Sequence, residues 1–309
     1  MGVLAPRANI EATLWDANSS GGGRGSTPED RETEMVGFFS ASLCAVTAAA
    51  GLALAPALAE EPVVVRAEGV AAFKAPEARQ GVAVDSRFFY AIDNRRIAKY
   101  DKKTGQRVGA WISPEGGPVV HLNSGVVVDG KVYAAHSKFP DWPEVSSVEI
   151  WDAATLKHIG TQGLGIDRGS LTWLDYHDGA WWGCLASYNP PFGRGNQDTR
   201  IVRFGAGWQV AEAWAVPEAL LAKFGDMSNS GGSWGPDGRL WITGHDRPEA
   251  YALMLPQAGP VLRWVAVASL DIAGQGIAWD RSEANVLWGI VRSGPGGESR
   301  VTANRLALP

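Results

Sequence analysis

A segment with histidines near both ends, HLNSGVVVDGKVYAAHS, runs from His121 to Ser137. Polar residues open it, apolar residues alternate around an Asp-Gly turn, and His136 stands next to its last residue. This alternation predicts a β-hairpin, whose two open ends lie side by side. Because imidazole groups exchange protons near neutral pH, His121 and His136 predict acid–base chemistry at that open end.

Four further segments of the same kind occur along the chain. Each begins with small or polar residues, continues into a short apolar strand and reaches an aspartate; the five aspartates are Asp85, Asp129, Asp175, Asp237 and Asp280. The first four hairpins are each followed by two more strand-like runs, as in RRIAKYDKKTGQRVGAW. Four antiparallel strands repeated in this way are typical of propeller blades. The sequence therefore predicts an all-β fold, a single five-bladed β-propeller over residues 60–309.

The fifth repeat has three strands, the last of them in SRVTANRLAL. Its fourth strand is predicted in VVVRAEGVAAF, residues 63–73. This pairing closes the ring and leaves no free sheet edge. Six blades are the alternative if VPEALLAKFGDMSNS contains strands, but we interpret that stretch as a short helix with Pro217 near its first turn.

The open ends of the five hairpins are predicted to converge around the central channel, and we call this region the central mouth. His121, His136 and His245 are the predicted acid–base residues there. The predicted substrate-binding residues are Arg79, Gln80, Asn123, Arg168, Gln275 and Arg292. An arginine at a channel mouth requires an acidic partner or an anionic ligand, so a small anionic molecule is the expected ligand. Trp142 and the loop SYNPPFGRGNQD are candidate lids on the same face.

A purely structural role is the alternative for several of these residues. Gln80, Gln275, Ser124 and Ser170 would then satisfy buried backbone groups. His136 and His245 would each anchor a loop. The turn aspartates are predicted to be structural, because their side chains cap turns.

The first 59 residues are not assigned to the propeller. Residues 1–34 are polar and rich in Gly and Ser, so we expect a disordered or mis-annotated extension. Residues 35–59 form an apolar stretch that ends in Ala57-Leu58-Ala59, which predicts a signal peptide and export to the periplasm or the extracellular space. An uncleaved membrane anchor is the alternative.

Composition narrows the classes of partner. Removal of residues 1–59 takes away three basic and six acidic residues and leaves 25 Lys and Arg against 27 Asp and Glu. This balance gives no electrostatic reason to expect nucleic acid or an anionic membrane as a partner, and a monomer is expected. After signal cleavage Cys184 is the one cysteine left, in an apolar strand, where core packing is expected.

The segments QGVAVD, HLNSGVVVDGKVY, SSVEIWD, GSLTWLD, SGGSWGPDGRLWITGHDRPE and GQGIAWD resemble a family of secreted bacterial propellers commonly labelled cycloisomerase-like. More distantly, Gln80-Gly81 is similar to a blade start of the plant-type glutaminyl cyclases, in which an acidic residue after the second strand is essential. Here that place holds Asp93. Gluconolactonase-type propellers bind calcium through a Glu, Asn-type ligands and an Asp. No glutamate falls at the aligned mouth positions, but Asp93, Asn123 and Asp246 are the expected ligands if a divalent cation such as calcium binds.

Two kinds of function follow from this pattern. The first is an enzyme for a small carboxylated or cyclic molecule, of the cycloisomerase, lactonase or lyase type, which needs no cofactor. Its histidines would move protons and its arginines would stabilise an anion. The second is a propeller that binds a ligand or a protein without catalysis, since the fold alone does not choose between them.

Overall fold

The computed structural model describes residues 61–294 and 297–308. The extension predicted over residues 1–34 and the signal peptide predicted over 35–59 lie outside the described residues. Within the described part, no helix has the length and apolar character needed to span a membrane.

Five four-stranded antiparallel sheets form a β-propeller, as predicted. The chain begins with β1 (Val63–Val65) and β2 (Ala67–Lys74). Blade 1 consists of β3 (Gly81–Val84), β4 (Phe88–Asp93), β5 (Arg96–Asp101) and β6 (Arg107–Ile112). Blade 2 consists of β7 (Leu122–Val128), β8 (Lys131–Ser137), β9 (Val145–Asp152) and β10 (His158–Ile166). Blade 3 consists of β11 (Ser170–His177), β12 (Ala180–Ala186), β13 (Arg200–Phe204) and β14 (Val210–Ala215).

The remaining strands complete the ring. Blade 4 consists of β15 (Gly231–Trp234), β16 (Leu240–Thr243), β17 (Glu249–Met254) and β18 (Arg263–Ser269). Blade 5 consists of β19 (Ala278–Trp279), β20 (Val286–Val291) and β21 (Arg300–Leu306), with β2 as its outer strand. A 3₁₀ turn covers Asn196–Asp198, and the helix α1 (Glu218–Phe224) follows Pro217. The stretch predicted to be helical is therefore not a sixth blade.

The ring closes through the N-terminal strand, as the sequence predicted. β2 pairs antiparallel with β21, from Ala67 opposite Leu306 to Lys74 opposite Arg300. β1 was not predicted separately; it pairs parallel with β18 and adds a fifth strand to blade 4. The first described residues thus belong to two neighbouring blades.

Burial follows the position of a strand within its blade. The inner strands β3 and β15 are buried at every residue, because neighbouring blades cover both of their faces. The outer strands β6 and β10 alternate between half-buried and exposed residues over most of their length, as expected for strands with one face toward solvent. Five apolar clusters fill the five interfaces between blades. Cys184 belongs to one of them, and burial raises the pKa of its thiol to about 12.

Candidate active site

A cleft of about 190 Å³ opens between blades 2 and 3, on the face that carries the open ends of the hairpins. Its walls come from the β8–β9 loop, the segment that precedes β11 and the β12–β13 loop. The lining residues are Trp142, Glu144, Asp167, Arg168, Gly169, Ser187, Tyr188, Phe192, Gly193, Arg194 and Asp198. We call this cavity the Glu144 cleft. Both segments predicted as lids, Trp142 and the β12–β13 loop, border it.

Glu144 is the acid–base candidate of this cleft. Its carboxyl group accepts a hydrogen bond from Ser170 Oγ (2.7 Å, to Oε1) and another from the backbone N–H of Gly169. Burial raises the pKa of Glu144 above its ordinary value, and the nearby Asp167 carboxylate adds to this shift. The two hydrogen bonds and the charge of Arg194 act in the opposite direction. A partly buried carboxyl group with a raised pKa in a cleft is suited to general acid–base catalysis.

Backbone and side-chain hydrogen bonds fix the segment that faces Glu144. Ser146 Oγ donates to the carbonyl oxygen of Gly169 (2.9 Å) and accepts from the N–H of Leu171 (2.9 Å). Gly169 has a φ of +101°, and a Cβ atom there would stand 3.0 Å from the carbonyl oxygen of Ala186. Only a glycine fits this position without strain. The start of β11 is therefore held rigidly against the loop that carries Glu144.

The two arginines of the cleft have no carboxylate within salt-bridge distance among the described residues. The Arg194 guanidinium lies 5.7 Å from the ring centre of Trp142, a cation–π distance. Trp142 is 52% exposed and Phe192 is 39% exposed, so two aromatic side chains and the Arg168 and Arg194 side chains border the opening. Arg168 lacks an acidic partner among the described residues, so an anionic ligand is the remaining expectation for it.

An aromatic chain connects this cleft with the central mouth. Tyr188 is buried beside Ser170, and burial raises the pKa of its hydroxyl far above the ordinary value. Phe139 contacts Tyr188 (ring centres 4.5 Å apart) and His121 (5.8 Å). Burial, followed by the charge of His136, lowers the pKa of His121 to about 4. His121 is therefore a neutral imidazole at neutral pH and lies two aromatic contacts from Phe192.

His136 lies in a closed network of hydrogen bonds. Its Nε2 accepts from the N–H of Val120 (3.1 Å), so its Nδ1 carries the proton and donates to Ser147 Oγ (2.9 Å). Ser147 in turn donates to Glu149 Oε1 (2.7 Å), and Glu149 Oε2 lies 2.8 Å from His158 Nε2. Both ring nitrogens of His136 are thus bound within blade 2, which supports the alternative that this residue anchors a loop.

The other predicted acid–base residue, His245, lies in a charged cluster at the central mouth. Its Nδ1 is 2.8 Å from Asp246 Oδ2, and the Arg292 guanidinium is 3.4 Å from its Nε2 and 3.2 Å from Asp246 Oδ1. The structure thus joins three predicted residues from two blades. Arg79 similarly lies 4.0 Å from Asp93. These two mouth arginines therefore have acidic partners within the chain, in contrast to Arg168.

The predicted amide residues of the mouth bind neighbouring protein groups. Gln80 donates to Asn94 Oδ1 (2.6 Å), and Gln275 donates to the carbonyl oxygen of His245 (2.8 Å). Asn123 donates to the carbonyl oxygen of Leu171 (3.0 Å). These contacts agree with the structural alternative, in which amides satisfy neighbouring polar groups.

The centre of the mouth is closed by backbone packing. A Cβ atom at Gly276 would stand 2.6 Å from Ser124 Oγ and 2.8 Å from the Cα of Gly81. The first strands of blades 1, 2 and 5 therefore meet backbone to backbone where they begin. A deep central funnel does not fit at this level, and the Glu144 cleft lies to one side of it.

The predicted cation ligands have separate partners. Asp93 faces Arg79, Asn123 binds a blade 3 carbonyl group, and Asp246 faces His245 and Arg292. Among the described residues, no three His, Cys, Asp or Glu side chains are grouped as metal ligands. A calcium site therefore stays a prediction.

Glu144 is the functional candidate that the sequence did not identify, because it lies outside the aligned mouth positions, at which no glutamate falls. The aligned positions end with the second strands, whereas Glu144 follows Trp142-Pro143 in the β8–β9 loop. Its partner Ser170 is 26 positions away in the chain. The signal available in the sequence was an acidic residue two positions after the candidate lid Trp142, in the loop that follows a second strand.

Comparison with known proteins identifies the architecture. No family model matches this chain, and no curated protein matches it either. Among solved structures, the glutaminyl cyclase of Myxococcus xanthus matches with a TM-score of 0.54 at 12% identity, over 80% of this chain and 98% of that chain. The PQQ-bound aldose sugar dehydrogenase of Streptomyces coelicolor matches at 0.48 and 13%, over 79% and 99%. A putative gluconolactonase matches at 0.43 and 15%, over 79% and 94%. The likeness to the cyclase shows the propeller fold alone.

Proposed function

We propose that this protein is an enzyme that moves protons on a small carboxylated molecule, in a ring-closing, ring-opening or elimination reaction at the Glu144 cleft. The observation that carries the proposal is the partly buried Glu144 carboxyl group, with its raised pKa, in a cleft lined by arginines without a carboxylate partner among the described residues. Arg168 and Arg194 would hold the carboxylate of the substrate, and Glu144 would transfer the proton.

The chemistry requires two states of one carboxyl group. The ionised Glu144 accepts a proton from the reacting carbon or hydroxyl group of the substrate. The neutral form then returns this proton to the leaving oxygen or to another carbon of the substrate. Ser170 orients the carboxyl group through its hydrogen bond, and the Tyr188 hydroxyl, whose pKa is raised by burial, stays protonated beside Ser170. No cofactor is needed for this sequence of steps.

This proposal shifts the acid–base role from the predicted histidines to Glu144. His136 has both ring nitrogens bound, and His245 is paired with Asp246 and Arg292. His121 contacts the wall of the cleft through Phe139, so it remains a candidate to shape the site. Export to the periplasm or the extracellular space, and the monomeric state, belong to the same proposal and rest on the sequence.

The test is turnover by a Glu144→Gln variant. Five- and six-membered lactones, their hydroxy acids and unsaturated dicarboxylates form the substrate panel, and Glu115→Gln, at an exposed loop position, is the matched control. Loss of general acid–base catalysis should lower kcat by about 10²- to 10⁴-fold. Equal turnover by wild type and Glu144→Gln would contradict the proposal.

A binding protein without catalysis is the second candidate. It is favoured by the exposure of Trp142 and Phe192, because exposed aromatic side chains at a rim are typical of binding surfaces. In that case, the wild-type protein binds members of the panel and converts none of them, and Glu144→Gln changes affinity alone.

A further inference from the structure

Arg168 lines two cavities, the Glu144 cleft and a second one of about 200 Å³. The second cavity, which we call the side groove, lies between the end of β10 and the β13–β14 turn. Its apolar lining residues are Leu164, Leu185, Phe204, Trp208 and Val210. Arg168 is thus shared by a charged cleft and an apolar groove.

The two cavities share Arg168, and their combined volume is large enough for one small ligand. Each is smaller than the ~300 Å³ at which sites for drug-sized ligands begin, whereas together they exceed it. The apolar wall of the side groove is already ordered without a ligand. Trp208 stacks on Trp181 (5.1 Å between ring centres) and contacts Phe204 (5.6 Å), so a ligand would find an ordered apolar surface.

The charges around Arg168 indicate where the anionic end and the apolar end of a ligand would bind. Arg168 is exposed and has no carboxylate partner among the described residues, so an anionic group can bind it without displacing an existing ion pair. An apolar group attached to that anion would gain by leaving water for the side groove. The reacting part would then face Glu144 on the other side of Arg168.

We propose that the substrate is a carboxylate with an apolar arm: the carboxylate binds Arg168, the arm occupies the side groove, and the reacting group lies in the Glu144 cleft. This inference rests on the proposed function, from which it takes the role of Glu144. It adds the side groove as a second, specificity-determining part of the site.

The probes are the straight-chain carboxylates acetate, butyrate, hexanoate and octanoate, with hexylamine as the control for charge. Dissociation constants are measured by isothermal titration calorimetry on the full chain. We expect the affinity of the wild type to rise about two- to fourfold for each added methylene, because each one loses contact with water. Arg168→Gln should weaken all carboxylates at least tenfold, and hexylamine, whose ammonium group Arg168 repels, should bind the wild type more weakly than hexanoate does.

Two glycine variants separate the groove from the rest of the surface. Gly163 lines the side groove and has nothing within 4 Å of a Cβ atom, so Gly163→Leu adds a side chain there without a clash. Gly160 lies on the same strand, its nearest contact from a Cβ atom is 3.7 Å, and it does not line the groove. Gly163→Leu should abolish the gain from butyrate to octanoate, whereas Gly160→Leu should keep it.

The outcomes distinguish the two proposals. Affinity that does not change with chain length, or that both glycine variants change equally, overturns the side groove. Absence of carboxylate binding overturns it as well. If the chain-length dependence is found and Glu144→Gln nevertheless retains full turnover, the side groove stands and the proposed catalytic role of Glu144 fails.

Discussion

Ser170, the first residue of blade 3, donates a hydrogen bond of 2.7 Å to Glu144, which belongs to the loop between β8 and β9 of blade 2. The bond crosses the boundary between two blades. It places a fully buried hydroxyl group against a partly buried carboxyl group. The geometry of the candidate site therefore depends on how two blades meet, and not on one loop alone.

The first prediction concerns this bond. Ser170 lowers the pKa of Glu144 by donating to its charged form, so Ser170→Ala should raise that pKa further. A ¹³C NMR titration of the Glu144 carboxyl carbon measures the shift directly. Ser187→Ala, which also lines the cleft, is the control and should leave the titration unchanged. An unchanged midpoint in Ser170→Ala would show that the bond does not set the protonation of Glu144.

The second prediction concerns His121 and pH. Its pKa of about 4 in the folded protein lies below the ordinary value of 6.5, so the unfolded chain binds the proton more tightly. The stabilisation by neutral His121 is complete above pH 6.5 and is lost as the pH falls toward 4, by up to about 3 kcal/mol. Urea unfolding at pH 7.5 and pH 4.5 should show a larger loss of stability for the wild type than for His121→Gln. Equal losses would contradict the assignment.

The third prediction concerns the network in blade 2. Ser147→Ala removes the group that joins His136 Nδ1 to Glu149 Oε1 and leaves two buried polar atoms without that partner. The free energy of unfolding should fall by about 1–3 kcal/mol. Ser86→Ala, at an exposed turn position, is the control and should change it by less than about 0.5 kcal/mol. A similar effect of both substitutions would mean that the network does not stabilise the blade.

The fourth prediction concerns Asp175, which the sequence placed in a turn but which lies within β11, because the turn of this hairpin falls at Asp178-Gly179. Asp175 is fully buried, accepts from the N–H of Trp234 in blade 4 (2.8 Å) and lies 2.9 Å from the Arg281 guanidinium. Asp175→Asn keeps the shape but removes the charge that faces Arg281, so the free energy of unfolding should fall by about 2–4 kcal/mol. Asp129→Asn is the matched control, because Asp129 is an exposed turn residue with a φ of 48°, which asparagine tolerates. Thermal unfolding measures the difference, and equal unfolding temperatures for the two variants would contradict the prediction.

Local patterns in the sequence were sufficient for most of the fold. The hairpins around Asp85 and Asp129 each combine alternation with a turn residue, and both signals lie within a few positions. The pairing of β2 with β21 could be predicted because blade 5 lacked one strand. β1 could not, since three consecutive valines have no periodicity that distinguishes a strand of its own.

The candidate site was less accessible from the sequence. The alignment of hairpins assigned His245 and Arg292 to the central mouth, and the structure brings these two residues into contact. Glu144 and Ser170 meet only through the packing of blade 2 against blade 3. The closed centre depends on the close approach of Gly81 and Gly276, which no single repeat reveals.

The closure of the ring by β2 also sets the order in which the blades can fold. β2 precedes the four blades that follow it in the chain, whereas its partner β21 is the last described strand. Blades 1 to 4 each contain four consecutive strands of their own and can form from contacts that are local in the chain. Blade 5 needs β2 as its outer strand and must wait for a contact that spans nearly the whole described chain. Such distant contacts fold slowly, so the last step of folding should be the capture of β1 and β2 by an otherwise formed ring.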